Sequence, residues 1–187
     1  MEDLTRLRKF YELKRVERAC SVSHRKESSA EHSWSCLMLA DYFLSKMNDV
    51  KINRLHVYEL LMYHDLVEIE AGDVCISKEE LRKHKKELEI KALHSLKEKI
   101  PPILKQKFVN LFLEFECGET VEGRFAKAID ALDAEIHELD YKEDWKGWTE
   151  EFLRKKKEPL FEGFPLLLEM FEESIAFCLK NGYFEEN

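Results

Sequence analysis

The chain has 187 residues, 44% of them hydrophobic and 36% charged, a length that suffices for one well-buried domain and demands no second. Its formal net charge of −8 argues against a protein that lives on nucleic-acid backbones, which would present a basic face. No apolar run approaches the ~20 residues that span a bilayer, Met1 to Arg18 lacks a signal peptide's apolar stretch, and five scattered cysteines without a CxxC pair read as reduced thiols, so the expected location is cytoplasmic.

In chain order, Leu4, Leu7 and Tyr11 recur at helical spacing and predict a first helix from about Leu4 to Val16 with these residues and Leu13 toward the core. Ser21 to Ser29 is polar and too charged to be buried as a strand. Ser28 or Ser29 is a good N-cap for a second helix carrying Leu37, Ala40 and Leu44 inward. A third helix spans about Ile52 to Glu68, with Leu55, Leu60, Leu61 and Val67 inward, and Gly72 supplies the turn after it. Ser77-Lys78-Glu79-Glu80 reads as a capping box opening a fourth helix that runs to about Lys99, where Pro101-Pro102 intervenes. A fifth helix covers about Ile103 to Phe115. A sixth, about Val121 to Asp140, carries Phe125, Ile129, Leu132 and Ile136 on one face. Trp145 and Trp148 are expected in the core, and a last helix runs from about Pro165 to Lys180 before Asn181-Gly182 stops it. With only six glycines and four prolines to make turns, the chain reads as an all-α, single-domain helical bundle with no sheet.

Three polar intrusions interrupt these apolar faces. His64 follows Leu60 by four residues and so shares a buried face, with Asp65 one step round. His32 lies on the face of Cys36, Leu39 and Phe43, and Asp130 lies beside the core stripe of the sixth helix. Each alone has an ordinary explanation: a hydrogen-bonded core histidine, or a carboxylate at a helix surface. Together they supply two imidazoles and two carboxylates on three helices. A buried carboxylate needs a partner, and this mixed nitrogen and oxygen set suits one divalent ion such as Mn²⁺, Co²⁺, Fe²⁺, Ni²⁺ or Mg²⁺.

The order His, His-Asp, Asp resembles the HD superfamily of metal-dependent phosphohydrolases, and the wording is similar to its 5′-deoxynucleotidase branch. The stretches that carry the resemblance are Leu13-Lys14-Arg15-Val16, Arg25 to Trp34, His64-Asp65-Leu66-Val67-Glu68 with Gly72-Asp73, and Lys127-Ala128-Ile129-Asp130. They span about residues 4–140 of a single domain over 1–187, with C-terminal helices at about 145–182 adding nothing to the match.

The resemblance implies a helical HD domain with one divalent ion on His32, His64, Asp65 and Asp130, able to neutralise phosphate charge and lower the pKa of a bound water. It implies that Glu68 handles the proton in hydrolysis and that Asp73 contacts the sugar; an exposed helix glutamate and a turn aspartate are the ordinary alternatives. The branch carries an Arg-Trp pair before its first histidine. Here Arg18 precedes Ala19 and Cys20, so Arg15, Arg18 and Arg25 are all candidates for the phosphate contact, and Asp133 joins Asp73 as a candidate substrate contact.

The implied activity is release of phosphate from (deoxy)nucleoside 5′-monophosphates by a homodimer, with neither nucleic acid nor membrane as partner. The homodimer expectation also uses the aromatic C-terminal region, Trp145, Trp148, Phe161, Phe164 and Phe171. The alternatives are another nucleotide or small phosphoester as substrate, or a non-catalytic helical binding protein with a structural metal. His24, His56, His84, His94 and His137, and the runs Lys83 to Lys86 and Arg154 to Lys157, are expected at the solvated surface.

Overall fold

A computed structural model describes residues 2–47, 51–74 and 83–185. Helix α1 (Glu2–Phe10) passes into a 3₁₀ turn at Tyr11–Arg15, followed by a hairpin of β1 (Glu17–Val22) and β2 (Arg25–Ser28). Then come α2 (Ser29–Lys46), α3 (Arg54–Tyr63), the short α4 (Glu68–Ala71), α5 (Lys85–Leu96), α6 (Pro102–Cys117) and α7 (Val121–Glu138). Two more 3₁₀ turns, at Lys142–Trp145 and Glu158–Phe161, flank α8 (Glu150–Lys157), and α9 (Pro165–Lys180) ends the order. The capping box at Ser77 and the first residues of the expected fourth helix lie outside the described residues, as does Cys75.

The antiparallel hairpin corrects the expectation of no sheet. Glu17 pairs with Ser28, Ser21 with Lys26 and Val22 with Arg25, with an irregular register between. Charge did not forbid these strands, because the fold pairs it. The Arg18 Nε donates to Glu27 Oε2 across the hairpin at 3.1 Å, and Ser21 donates through N and Oγ to Asp144 at 2.6 and 2.9 Å. The turn residue Ser23 has φ 54°, a left-handed conformation uncommon for a residue with a side chain.

Two helices also differ from their sequence patterns. Leu4 and Leu7 of α1 and Tyr11 of the following 3₁₀ turn are exposed, and of the four residues expected inward only Leu13 reaches the core. The third predicted helix breaks after Tyr63, where Leu66 N–H donates to Tyr63 O and Glu68 N–H to Asp65 O in tight three-residue steps. Leu55 at its start is exposed, whereas Leu60, Leu61 and Val67 are buried.

The core is one contiguous cluster in which α2, α3, α6 and α7 meet, with Phe43, Leu60, Phe108, Phe125 and Leu132 wholly or almost wholly buried. The five C-terminal aromatics Trp145, Trp148, Phe161, Phe164 and Phe171 belong to this core, so they offer no spare apolar surface for a partner. Lys157 corrects a second expectation: it is buried, donating to the Ala131 carbonyl at 3.0 Å and pairing with Glu135. No helix among the described residues is long and apolar enough to cross a membrane.

Candidate metal centre

The N-terminus of α2 sets the position of His32. Ser28 accepts from Glu31 N–H while Glu31 Oε2 accepts from Ser28 N–H, a reciprocal cap that starts the helix at Ser29. His32 therefore falls one turn in and points at α7, wholly buried. Its Nδ1 lies 2.9 Å from Asp133 Oδ2 and its Nε2 lies 2.9 Å from Asp130 Oδ1. Asp133 also accepts from Ser35 Oγ at 2.7 Å. With Nδ1–H given to Asp133, the Nε2 lone pair of a neutral ring faces Asp130. Asp133, expected as a substrate contact, is engaged in orienting His32 instead.

His64 follows the same logic by a different route. The break after Tyr63 lets Nδ1–H donate to the Leu61 carbonyl at 2.8 Å, which leaves Nε2 as the inward lone pair. That nitrogen lies 3.2 Å from Asp65 Oδ1 and 3.8 Å from Asp130 Oδ1, and Asp65 Oδ2 lies 3.9 Å from His32 Nε2. His64 Nε2 and Asp65 Oδ2 are buried and make no hydrogen bond among the described residues. His32, His64 and Asp130 thus bring donor atoms within 4.8 Å of one another, and Asp65 stands beside the two imidazoles.

Acceptors do not attract one another. The arrangement holds only around positive charge, supplied by protons or by a cation. Burial opposes charge on both imidazoles, joined at His32 by Arg18; Cys36, Asp130 and Asp133 around His32, and Asp65 with Asp130 around His64, outweigh it and hold both rings above their ordinary pKa. Burial likewise pushes Asp65 and Asp130 up, and the imidazoles with Arg18 outweigh it and hold both carboxyls below the usual range. A divalent ion fits this donor set: two imidazole nitrogens and two carboxylates, with unpartnered atoms already inward.

Cys36 is a neighbour that sequence reasoning missed as part of the cluster. It stands one helical turn after His32, and its Sγ lies within the same group of His32, His64 and Asp130 donor atoms. The Sγ is 3.5 Å from His32 Nε2 and 3.7 Å from Nδ1. At those distances the sulfur is within reach of an ion held at His32 Nε2, so the thiol is a further candidate donor beside the two imidazoles and Asp130. Cys36 is fully buried against the His32 ring.

A cavity of about 520 Å³ opens onto this centre, within the range of roughly 300–1,000 Å³ usual for small-ligand sites. Arg18, Glu68 and Asp73 line it beside His64, Asp65 and Asp130. Arg18 is held by Glu27, with its Nη1 3.6 Å from Asp65 Oδ2. Burial opposes its charge, and Asp65 foremost more than restores it. Arg15 is exposed and Arg25 is paired with Glu31 on the outer edge; neither lines the cavity. Glu68 is buried and accepts from Ser29 Oγ at 2.7 Å; burial, then the charges of Asp65 and Asp73, raise its pKa well above the ordinary value. Among the other histidines, His24, His84 and His94 are exposed, His56 pairs with Glu114, and His137 donates to the Ser21 carbonyl at 2.8 Å, fastening the hairpin to α7.

An HD domain family model matches residues 10–167, most of the chain. The chain belongs to the HD domain family. The resemblance read from its four motifs is thereby borne out. This HD domain is 30% identical over 139 residues to the 5′-deoxynucleotidase HDDC2 of Xenopus laevis, which is 71% of this chain and 65% of that protein. It is 26% identical to the 5′-deoxynucleotidase hdd1 of Schizosaccharomyces pombe, over 65% of this chain and 61% of that one. The match thus spans just under two thirds of these two relatives' length. Among solved structures, a predicted metal-dependent phosphohydrolase of Magnetospirillum magnetotacticum superposes with a TM-score of 0.84 at 29% identity, covering both chains fully. A conserved hypothetical protein of Pyrococcus furiosus gives 0.66 at 26% identity over 92% of this chain and 99% of its own.

Proposed function

We propose that this HD domain is a metal-dependent phosphomonoesterase that releases phosphate from nucleoside 5′-monophosphates, the 2′-deoxy forms foremost. The observation that carries the reading is the convergence of His32, His64, Asp65 and Asp130, with two orphaned buried acceptors, at the wall of an open cavity. The relatives named as 5′-deoxynucleotidases, and the structural neighbour named as a metal-dependent phosphohydrolase, support it from outside the chain.

A divalent ion on those four residues would neutralise phosphate charge and acidify a bound water. The chain's own residues do the rest. Arg18, buried and fixed by Glu27, offers a guanidinium to a phosphate oxygen. Glu68, unassigned to the metal and raised in pKa, is suited to take a proton from the attacking water and return it to the leaving oxygen. Asp73 offers a carboxylate to the sugar hydroxyls. Asp133 and the Leu61 carbonyl keep both imidazoles in the ligating tautomer.

A structural metal in a non-catalytic protein is disfavoured by that cavity, since structural sites are closed by protein ligands. We also propose a cytoplasmic homodimer. The free thiols of Cys20, Cys36, Cys117 and Cys178 suit a reducing compartment, and exposed Trp34, Met38 and Tyr42, spaced four apart on α2, form an apolar stripe that a second copy could cover. The test of the activity is phosphate release from a nucleotide panel by metal-stripped protein given Mn²⁺, Co²⁺, Ni²⁺ or Mg²⁺. Release from deoxynucleoside monophosphates with at least one ion is expected; none with any ion would overturn the reading.

A further inference from the structure

The cavity does not end at the metal centre. From Asp130 its floor continues along α7 through Ala131 and Ala134 to Glu138. Eight residues of helix carry it about 12 Å, at roughly 1.5 Å per residue. Cys20 from β1 and Trp148 with Leu160 from the segments flanking α8 also line it. Two alanines at helical spacing leave a smooth shallow floor. The exposed edge of Trp148 offers an aromatic surface to a planar ligand lying over these alanines.

Three charged side chains line this lobe, Glu138 from α7 and Lys156 and Lys157 from α8, and Lys157 is already paired with Glu135. Glu138 is nearly buried; its Oε1 accepts from the Cys20 thiol at 3.0 Å, and Oε2 accepts no hydrogen bond among the described residues. The backbone behind it is fixed, since Trp145 Nε1 donates to the Glu138 carbonyl at 2.9 Å. The charged groups around it are Glu135 on α7, Lys157 on α8 and Asp144 on the 3₁₀ turn. The mechanism proposed above uses none of them.

Resting on the nucleotidase reading, we propose that this α7–α8 lobe is a purine subsite in which the Glu138 carboxylate accepts hydrogen bonds from the base edge. Guanine offers two adjacent donors, its ring N–H and its exocyclic amino group, and a carboxylate can accept both. Adenine offers one donor and one acceptor, which a carboxylate cannot match and an amide can. Glu138 thus sets a preference for guanine when ionised, and Glu138→Gln reverses it. Burial pushes the carboxyl up to about 7, with Glu135 and Asp144 adding and the Cys20 bond and Lys157 opposing, so the ionised form dominates only in mildly alkaline solution.

The experiment reads nucleoside binding apart from chemistry. Tryptophan fluorescence of the full chain is titrated with deoxyguanosine and deoxyadenosine at about pH 8, where the carboxyl is ionised. Saturable quenching is expected, tighter for deoxyguanosine and absent in Trp148→Phe. In Glu138→Gln deoxyguanosine should weaken about 10-fold relative to deoxyadenosine, the loss of one hydrogen bond to a charged group. Ala134→Leu, which fills the slot, should weaken both about 10-fold or more, the cost of overpacking a close-fitting site. Quenching that survives Trp148→Phe, or a Glu138→Gln variant with the parent preference, would overturn the subsite. Phosphate release is measured in parallel: nucleoside binding without it would overturn the nucleotidase reading and leave the subsite standing, whereas release without base preference would do the reverse.

Discussion

His64 gives its Nδ1–H to the Leu61 carbonyl, and that bond decides which nitrogen faces the centre. The inward positions of His32, His64, Asp65 and Asp130 were legible because each interrupts an apolar helix face. Which arginine approaches the centre was not, since Arg18 is brought there by a hairpin whose pairing depends on Glu27 and Asp144. Two predictions belong to single residues. Because both imidazoles are held above their ordinary pKa, metal competes with protons for them; affinity should fall on acidification, and calorimetry in buffers of different ionisation enthalpy should detect proton release. Binding without proton release would contradict the cluster's charge state. Glu68→Ala should lower turnover on the order of 10²–10⁴-fold with metal content nearly unchanged, as expected for a proton carrier. Full activity would remove Glu68 from the chemistry, and lost metal would make it a ligand.

A third prediction concerns stability. The Glu138 carboxyl is pushed up to about 7 in the fold, against roughly 4.3 in an unfolded chain. Between those values the folded state holds a proton the unfolded state has lost, so this group's contribution declines as pH rises through that window. Glu138→Gln should therefore stabilise the protein on the order of 1–3 kcal/mol at about pH 8 and hardly at all at about pH 4. Thermal melts at both values check it; equal shifts would show that the carboxyl's charge is not the cause.

At the scale of elements, periodicity identified α2, α6, α7 and α9 closely, because each packs one apolar stripe and carries an end signal such as Ser28, Gly118 or Thr120. It failed where tertiary partners decide. The hairpin lacks the usual Asn-Gly or Asp-Gly turn, and its charges are neutralised only by contacts distant in sequence. The break after Tyr63 leaves an unbroken apolar pattern in the sequence. Leu4, Leu7 and Tyr11 keep helical spacing on a helix whose stripe meets solvent. Ser28 is the element-scale test, since its cap sets the phase of α2 and hence of His32. Ser28→Ala should cost about 1 kcal/mol in denaturant unfolding. No loss would mean that packing alone holds the helix start.

Across the whole molecule, the buried core joins the C-terminal aromatics to the motif-bearing helices, and the cavity runs between them. The exposed stripe of Trp34, Met38 and Tyr42 makes the homodimer testable: Met38→Lys should shift light-scattering mass from dimer toward monomer, and a wild-type monomer at micromolar concentration would contradict the proposed assembly. The chemistry proposed for the cavity depends on the metal centre. Its most direct test is divalent-metal content after dialysis of wild type, His64→Ala, Asp130→Ala, His24→Ala and His84→Ala. About one ion per chain is expected in wild type and in both surface-histidine variants, and almost none in His64→Ala or Asp130→Ala. Equal metal content in all five proteins would contradict it.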